Sequence, residues 1–289
     1  MPKELGRPRR RRRHTRIGEG RATAGTTLAL LVLAVALLLT IWQLGYSHTV
    51  FVPSPAETWE EIVELLGESG TYSEIAASLG RLVVGMLIGT LLGLAAGLAG
   101  ATSHRAGRIV QTYVQLTFAI PSLMAAFLAL IVFGISSVGV IATVVVLVFP
   151  FIATPVLDGL KSLDRSLGDM ARVYHFSRGL QLRHVVLPHI TPYLLSGVRN
   201  GHSIGWKVLI VAEIFSVRSG IGYEFHRASD QFLFGQVLAW LTFMLIVIGL
   251  IEFLVLRPLE NWSLRWRTST GSRKTLLARA AARFQAGTR

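Results

Sequence analysis

The sequence predicts an all-α membrane protein with six transmembrane helices, and three observations carry that prediction. Of 289 residues, 52% are hydrophobic and 16% charged, with a mean hydropathy of +0.53, whereas soluble proteins carry about a quarter charged residues. The apolar residues gather in charge-free runs that reach the roughly 20 residues needed to span a hydrocarbon core about 30 Å thick. The basic residues are sorted to the ends: nine of the 29 Lys and Arg lie in the first 21 positions and eight more from Arg257 onward. A net charge of +13 taken alone would suit nucleic acid, but with an apolar middle between basic ends it describes a chain lying in lipid, with no nucleic-acid partner. The absence of cysteine excludes a disulfide framework, a thiolate metal site and a cysteine nucleophile.

Taken in order, the chain divides into a basic tail over 1–22, a membrane domain over 23–260 and a second basic tail over 261–289. The Arg9 to Arg13 run reads as a juxtamembrane segment that touches anionic lipid, at about 1 kcal/mol per residue near the surface. Residues 22–45 form the first expected crossing. In the following loop, Pro53-Ser54-Pro55 precedes Glu57, Glu60, Ile62, Val63, Leu65 and Leu66, an amphipathic helical pattern opened by a proline break. The second crossing, 82–104, carries Gly85, Gly89, Gly93 and Gly97, all four apart and therefore on one helix face. Such a stripe lets a neighbouring backbone approach closely, which is how helices associate in lipid. Between Arg108 and Asp158 lie 49 uncharged residues, too many for one helix, and the segment from Gly134 to Gly139 offers a turn that divides them into a third and a fourth crossing. The fifth, about 194–215, is interrupted by Arg199, Lys207 and Glu213; the sixth is 231–251.

Lys and Arg in short loops are retained on the cytoplasmic side. With the N-terminus inside, the 46–81 loop is external and holds six glutamates and one Arg. Arg105 and Arg108 then lie inside, as do Lys161, Arg165, Arg172, Arg178 and Arg183 of the 158–192 loop. The expected topology places both termini in the cytosol of a multi-pass inner-membrane protein.

The 158–192 loop returns to mixed polarity. Leu163, Leu167, Met170, Ala171 and Tyr174 recur at helical spacing; Ser177 offers an N-cap for a second short helix and Pro188 a place for it to end. An apolar-faced helix pair at the cytosolic surface docks on a partner or packs on the chain's own helix ends. Within it, Asp169-Met170-Ala171-Arg172 to His175 and then Val185-Val186-Leu187-Pro188 resemble the cytoplasmic signature of permease subunits in binding-protein-dependent ABC importers: E-A-A, three residues, G, nine residues, then I-x-L-P. Both spacings are kept. Asp169, Met170 and Ala171 stand at the E-A-A places, His175 at the G place, and Val185, Leu187 and Pro188 at the I, L and P places. Pro53-Ser54-Pro55, Ser78-Leu79-Gly80-Arg81, Ala119-Ile120-Pro121, Ala212-Glu213 and Ser219-Gly220-Ile221-Gly222-Tyr223 extend the resemblance to the sulfonate, taurine and nitrate branch.

The resemblance implies a type I importer permease fold and a two-helix coupling element that docks on a separate cytosolic ATP-binding subunit. It also implies an external solute-binding protein and a second permease copy, alike or homologous. Three departures stand out: Asp169 shortens the acidic arm, Met170 adds bulk, and His175 replaces the residue that most easily adopts a left-handed turn, although histidine tolerates that region better than most.

Ionisable groups at membrane depth mark a water-filled pathway or a paired contact. Arg199 lies near the cytosolic end and can snorkel. Lys207 lies near the midplane, about 240° around the helix from Glu213, so the two do not naturally pair. Lys207 and Glu213 are the candidate pathway residues. Lys207 either offers positive potential to an anionic solute or belongs to a structural charge pair. No phosphate-binding loop, H-E-x-x-H or G-x-S-x-G motif occurs, so no catalytic residue, cofactor or metal is expected and ATP hydrolysis belongs to another subunit. The alternative from another class is an ion-driven secondary transporter, which works from one chain with internal repeats; no convincing repeat is visible here.

Overall fold

The computed structural model describes residues 52–164, 166, 170, 173–261 and 263, with 40–46 and five isolated positions before them. About half of the expected first crossing thus lies outside the described residues, as do the basic tails apart from Asn261 and Ser263, and Asp169, Ala171 and Arg172 of the coupling signature. Residues up to Pro55 form one unit, in which 40–46 is helical; Ala56 onward forms another.

Among the described residues every regular element is helical. Helix α1 (Pro55–Gly67) is the amphipathic segment after the proline pair, with Thr58, Ile62 and Leu65 buried and Glu57, Glu60 and Glu64 exposed. Helix α2 (Ser69–Ala101) is followed by α3 (His104–Ala119), α4 (Ser122–Phe133) and α5 (Ser137–Lys161). The short α6 (Arg178–Gln181) runs through a π-helical turn (Leu182–Val186) into α7 (Leu187–Ser216). Helix α8 (Ile221–Asp230) precedes α9 (Phe234–Ile251), which continues through a second π-helical turn (Glu252–Leu256). Three helices are long and apolar enough to cross a membrane, or four if the bent pair α3 and α4 is one span. Helix α7 has the length, 30 residues or about 45 Å, but carries Arg199, Lys207 and Glu213.

Three boundaries differ from the sequence expectation. Helix α2 begins thirteen residues before Leu82, because Arg81 is buried rather than solvated; the charge that marked the end of a loop is a helix residue with partners. The third crossing is not straight: α3 and α4 meet at 96°, where Pro121 forces Ile120 out of the helical region (φ −78°, ψ 116°). Pro188 does not end a helix. It occupies the first turn of α7, and the preceding π-helical turn, in which the Leu187 N–H bonds five residues back to the Leu182 carbonyl, carries α6 into α7 past the N–H that proline lacks. The expected turn after the third crossing is present: Gly134 adopts a positive φ of 65°, and Ser136 caps α5 by accepting from the Gly139 N–H at 3.3 Å.

Helix α5 is the centre of the bundle. Its Val144, Val148, Ile152 and Val156 are 0% exposed and lie against the glycine stripe of α2. A Cβ added at Gly93 would stand 2.5 Å from Ile152 Cβ, one at Gly97 2.6 Å from Val156 Cγ1, and one at Gly85 2.7 Å from Val144 Cγ1. Gly89 is looser, its nearest neighbours lying at 3.5 Å. On its other side α5 meets a second stripe, Gly197, Gly201 and Gly205 of α7, where a Cβ at Gly197 would fall 2.8 Å from the Phe151 carbonyl oxygen. Gly93→Ala therefore has to push the Ile152 stem away and is expected to reduce folded protein severalfold, an overpacking cost of about 1–3 kcal/mol, whereas Gly89→Ala leaves it near wild type. Fluorescence-detected size exclusion of the two variants in detergent checks this; equal profiles would remove the seam from the account of packing.

Candidate functional site

The chemistry-bearing residues fall in three places. The first is a buried charge cluster where α2, α7 and α8 converge. Glu213 is 0% exposed and Arg81 7%. The Arg81 guanidinium donates to Glu213 Oε1 at 2.6 Å and to the Ser219 carbonyl at 2.8 Å, while its other nitrogens reach Ser219 Oγ at 2.5 Å and Ser137 Oγ at 3.1 Å. The Ser78 hydroxyl lies 2.9 and 2.8 Å from the two Glu213 oxygens and accepts from the Ile221 N–H at 2.8 Å; Glu213 also accepts from the Gly222 N–H at 3.0 Å. Glu74 accepts from the N–H of Gly220. Gly220 has a φ of 105°, and a Cβ there would lie 2.5 Å from Glu213 Oε1, so only glycine lets the chain turn tightly around the carboxylate. Glu213, expected as a pathway candidate, thus sits in a closed, fully partnered ion pair and presents no face to a passing solute. Sequence reading missed Arg81 as its partner, although the segments 78–81, 212–213 and 219–223 that carried the family resemblance are the ones brought together here.

The second place is the outer surface of α7. Lys207 is exposed, on a different face from Glu213. Arg199, taken from sequence as a snorkelling residue, instead bridges to the last helix: its guanidinium lies 2.5 Å from Glu252 Oε1 and 3.1 Å from Glu260 Oε2. Glu252 opens the second π-helical turn, an element often found where a helix carries function.

The third place is the 158–192 loop. His175 adopts φ 53°, the left-handed region, which is the conformation that a glycine would most easily supply at the turn before α6. Ser177 caps α6, its Oγ accepting from the Leu180 N–H at 3.3 Å. Around this turn Met170, Val173, Tyr174, Leu180, Leu182 and Leu187 are all exposed, Val173 to 75% and Tyr174 to 69%. Val185 is half-buried and Pro188 exposed. On the same stretch Asp164 accepts from the Ser166 N–H at 2.9 Å, which holds its carboxyl below the usual carboxylate range.

The family described as the binding-protein-dependent transport system inner membrane component matches residues 85–262. The taurine transport system permease protein TauC of Escherichia coli (strain K12) is 28% identical over 262 residues, covering 88% of this chain and 95% of that protein. A putative aliphatic sulfonates transport permease protein, SsuC of the same strain, is 32% identical over 234 residues, 79% of this chain and 88% of its own length. The nitrate import permease protein NrtB of Leptolyngbya laminosa is 26% identical over 267 residues, 88% of this chain and 94% of its own. Among solved structures, an inward-facing MetNI methionine ABC transporter matches with a TM-score of 0.57 at 18% identity, over 65% of this chain and 95% of that one, a likeness of fold. The all-α bundle, the two-part loop signature with a left-handed turn between its halves and the match across residues 85–262 together establish that the chain belongs to the binding-protein-dependent transport system inner membrane components, the permease subunits of ABC importers.

Proposed function

We propose that the chain carries a small organic sulfonate, nitrate or similar anion across the inner membrane, working with a second permease copy, driven by a cytosolic ATP-binding subunit and fed by an external solute-binding protein. The observation that carries the reading is the exposed apolar surface around His175, whose α6 side continues through the π-helical turn into the 30-residue α7. Because α6 and the crossing helix form one unbroken rod that begins just after the His175 turn, movement of an ATPase attached at this surface tilts the crossing, as alternating access requires. Basic residues support the cytosolic placing of this loop: Lys161 and Arg108 line a common cleft at the end of the bundle from which it leaves.

Lys207 supports an anionic solute. Lys207 lies two thirds of the way along α7, and a lysine at membrane depth costs up to about 2.5–3.5 kcal/mol if it faces lipid, a cost that a water-filled pathway removes. In proteoliposomes containing the permease, its ATPase and its binding protein, uptake is expected to require ATP and to favour taurine, alkanesulfonates or nitrate over neutral heterocycles. Lys207→Met is expected to lower anion uptake by about tenfold with the complex intact, the loss of about 1.4 kcal/mol from one charge contact. Uptake driven by an ion gradient without ATP would instead make the protein a secondary carrier, and unaltered anion uptake in the variant would detach Lys207 from the solute.

A further inference from the structure

Helix α7 exposes few side chains along its membrane-depth length. Between Ile190 and Ser216 they are Ser196, Asn200, Ser203 and Lys207. All four are polar, and their spacing of four, three and four places them on one stripe that rises over about 16 Å. The other exposed membrane faces are of the opposite kind: Val83, Leu87 and Leu91 on α2, and Leu245, Ile246 and Leu250 on α9. The remaining faces of α7 are occupied, with Gly197, Gly201 and Gly205 against α5 and α2 and Arg199 tied to Glu252. An amide, two hydroxyls and an ammonium aligned on an uncovered face do not suit hydrocarbon, where unpaired polar groups are costly. The Ser203 hydroxyl donates to the Arg199 carbonyl at 3.3 Å, long for a hydroxyl hydrogen bond, so it exchanges readily for a better acceptor.

We propose that Ser196, Asn200, Ser203 and Lys207 form one polar wall of the solute pathway, a ladder that passes a small oxyanion between hydroxyl and amide donors while the Lys207 ammonium supplies the attracting charge. This rests on the pathway reading of Lys207 given above and extends it to three further residues. The three oxygens of a sulfonate or nitrate suit such a row, because the anion can engage the next donor before it releases the last.

The natural absence of cysteine makes the test direct. Ser196→Cys, Asn200→Cys and Ser203→Cys are near-isosteric or small changes at exposed positions, and each variant is assayed for uptake in the assembled complex. All three are expected to react with the anionic reagent sulfonatoethyl methanethiosulfonate added in water, and taurine is expected to slow the reaction at Ser203→Cys. Val83→Cys and Leu245→Cys, facing lipid, stay unmodified. At Ser203→Cys the anionic reagent is expected to outpace its trimethylammonium counterpart by about tenfold, an advantage of the size that local charge gives to association, and Lys207→Met abolishes it. Three unreactive cysteines in transport-competent complexes overturn the wall, since the stripe is then packed against the second copy or lipid. Reactive cysteines without charge preference overturn the role of Lys207 and the anion reading while leaving the wall in place.

Discussion

Replacing Arg81 by Met is expected to lower the melting temperature of the purified protein by on the order of 10 °C and to strip most of it from the membrane, while Arg81→Met/Glu213→Met recovers much of the loss. The asymmetry follows from desolvation. Arg81 and Glu213 are buried to 7% and 0% exposure, and removal of one partner from such a pair costs about 3–5 kcal/mol because the remaining charge is left without compensation, whereas replacing both by apolar residues is often close to neutral. Geometry adds to the single-variant loss. Ser219 and Ser137 both lose their donor, and the loop that turns at Gly220 loses its anchor to α2. A double-mutant cycle on thermal stability, run beside Glu213→Gln, separates the pair from its surroundings: a cycle that sums to zero would falsify the claim that the two charges act as a unit. Glu213→Gln keeps the hydrogen bonds from Ser78 and Gly222 within reach but not the charge, so it is expected to fall between wild type and Arg81→Met.

The sequence made this cluster half visible. Glu213 stands out because a carboxylate inside an apolar run has to be explained, and its angular distance from Lys207 shows that the explanation is not a partner on its own helix. Arg81 lies 132 residues away, at a position where charge ordinarily signals the end of a crossing, and nothing in local composition distinguishes a solvated loop arginine from one folded inward. The glycine seam was legible for the same reason that Glu213 was, since four-residue spacing is a local property with one geometric meaning. Its mate on α7 has the same spacing at Gly197, Gly201 and Gly205 and could have been found the same way. What spacing does not contain is depth: Gly89 shares the period of its neighbours, but a Cβ added there would stand a full ångström farther from its nearest α5 atom than one at Gly93. The 96° bend is of a third kind. Pro121 announces a break, while the direction the chain takes after it depends on what α4 finds to pack against, here α5 and α7, with Phe127 against Phe215 at 4.7 Å.

Val173→Asp/Tyr174→Asp is expected to abolish ATP-driven uptake and co-purification of the ATPase while leaving the permease itself at wild-type abundance. Both side chains are exposed in the isolated chain, to 75% and 69%, so carboxylates there are solvated and the fold loses no packing. In the complex the same two positions are expected to be covered. Each buried aliphatic or aromatic side chain contributes about 1.5–3 kcal/mol, so the pair supplies about 3–6 kcal/mol of association, a hundredfold or more in affinity, before the cost of burying two charges is added. The left-handed turn at His175 decides how the two residues are presented, since φ 53° turns the chain between the Met170–Tyr174 stretch and α6. His175→Gly relaxes no packing and relieves the side chain's conformational cost, so it is expected to keep ATPase binding. His175→Val sets a β-branched residue where it is strongly disfavoured and is expected to weaken binding without touching a contact residue. Affinity for the ATPase subunit, measured on detergent-solubilised permease by light scattering or pull-down, discriminates the two. Equal binding by Gly and Val variants would show that the turn follows the docking surface instead of setting it, and binding unchanged in the double aspartate variant would place the ATPase on another part of the chain.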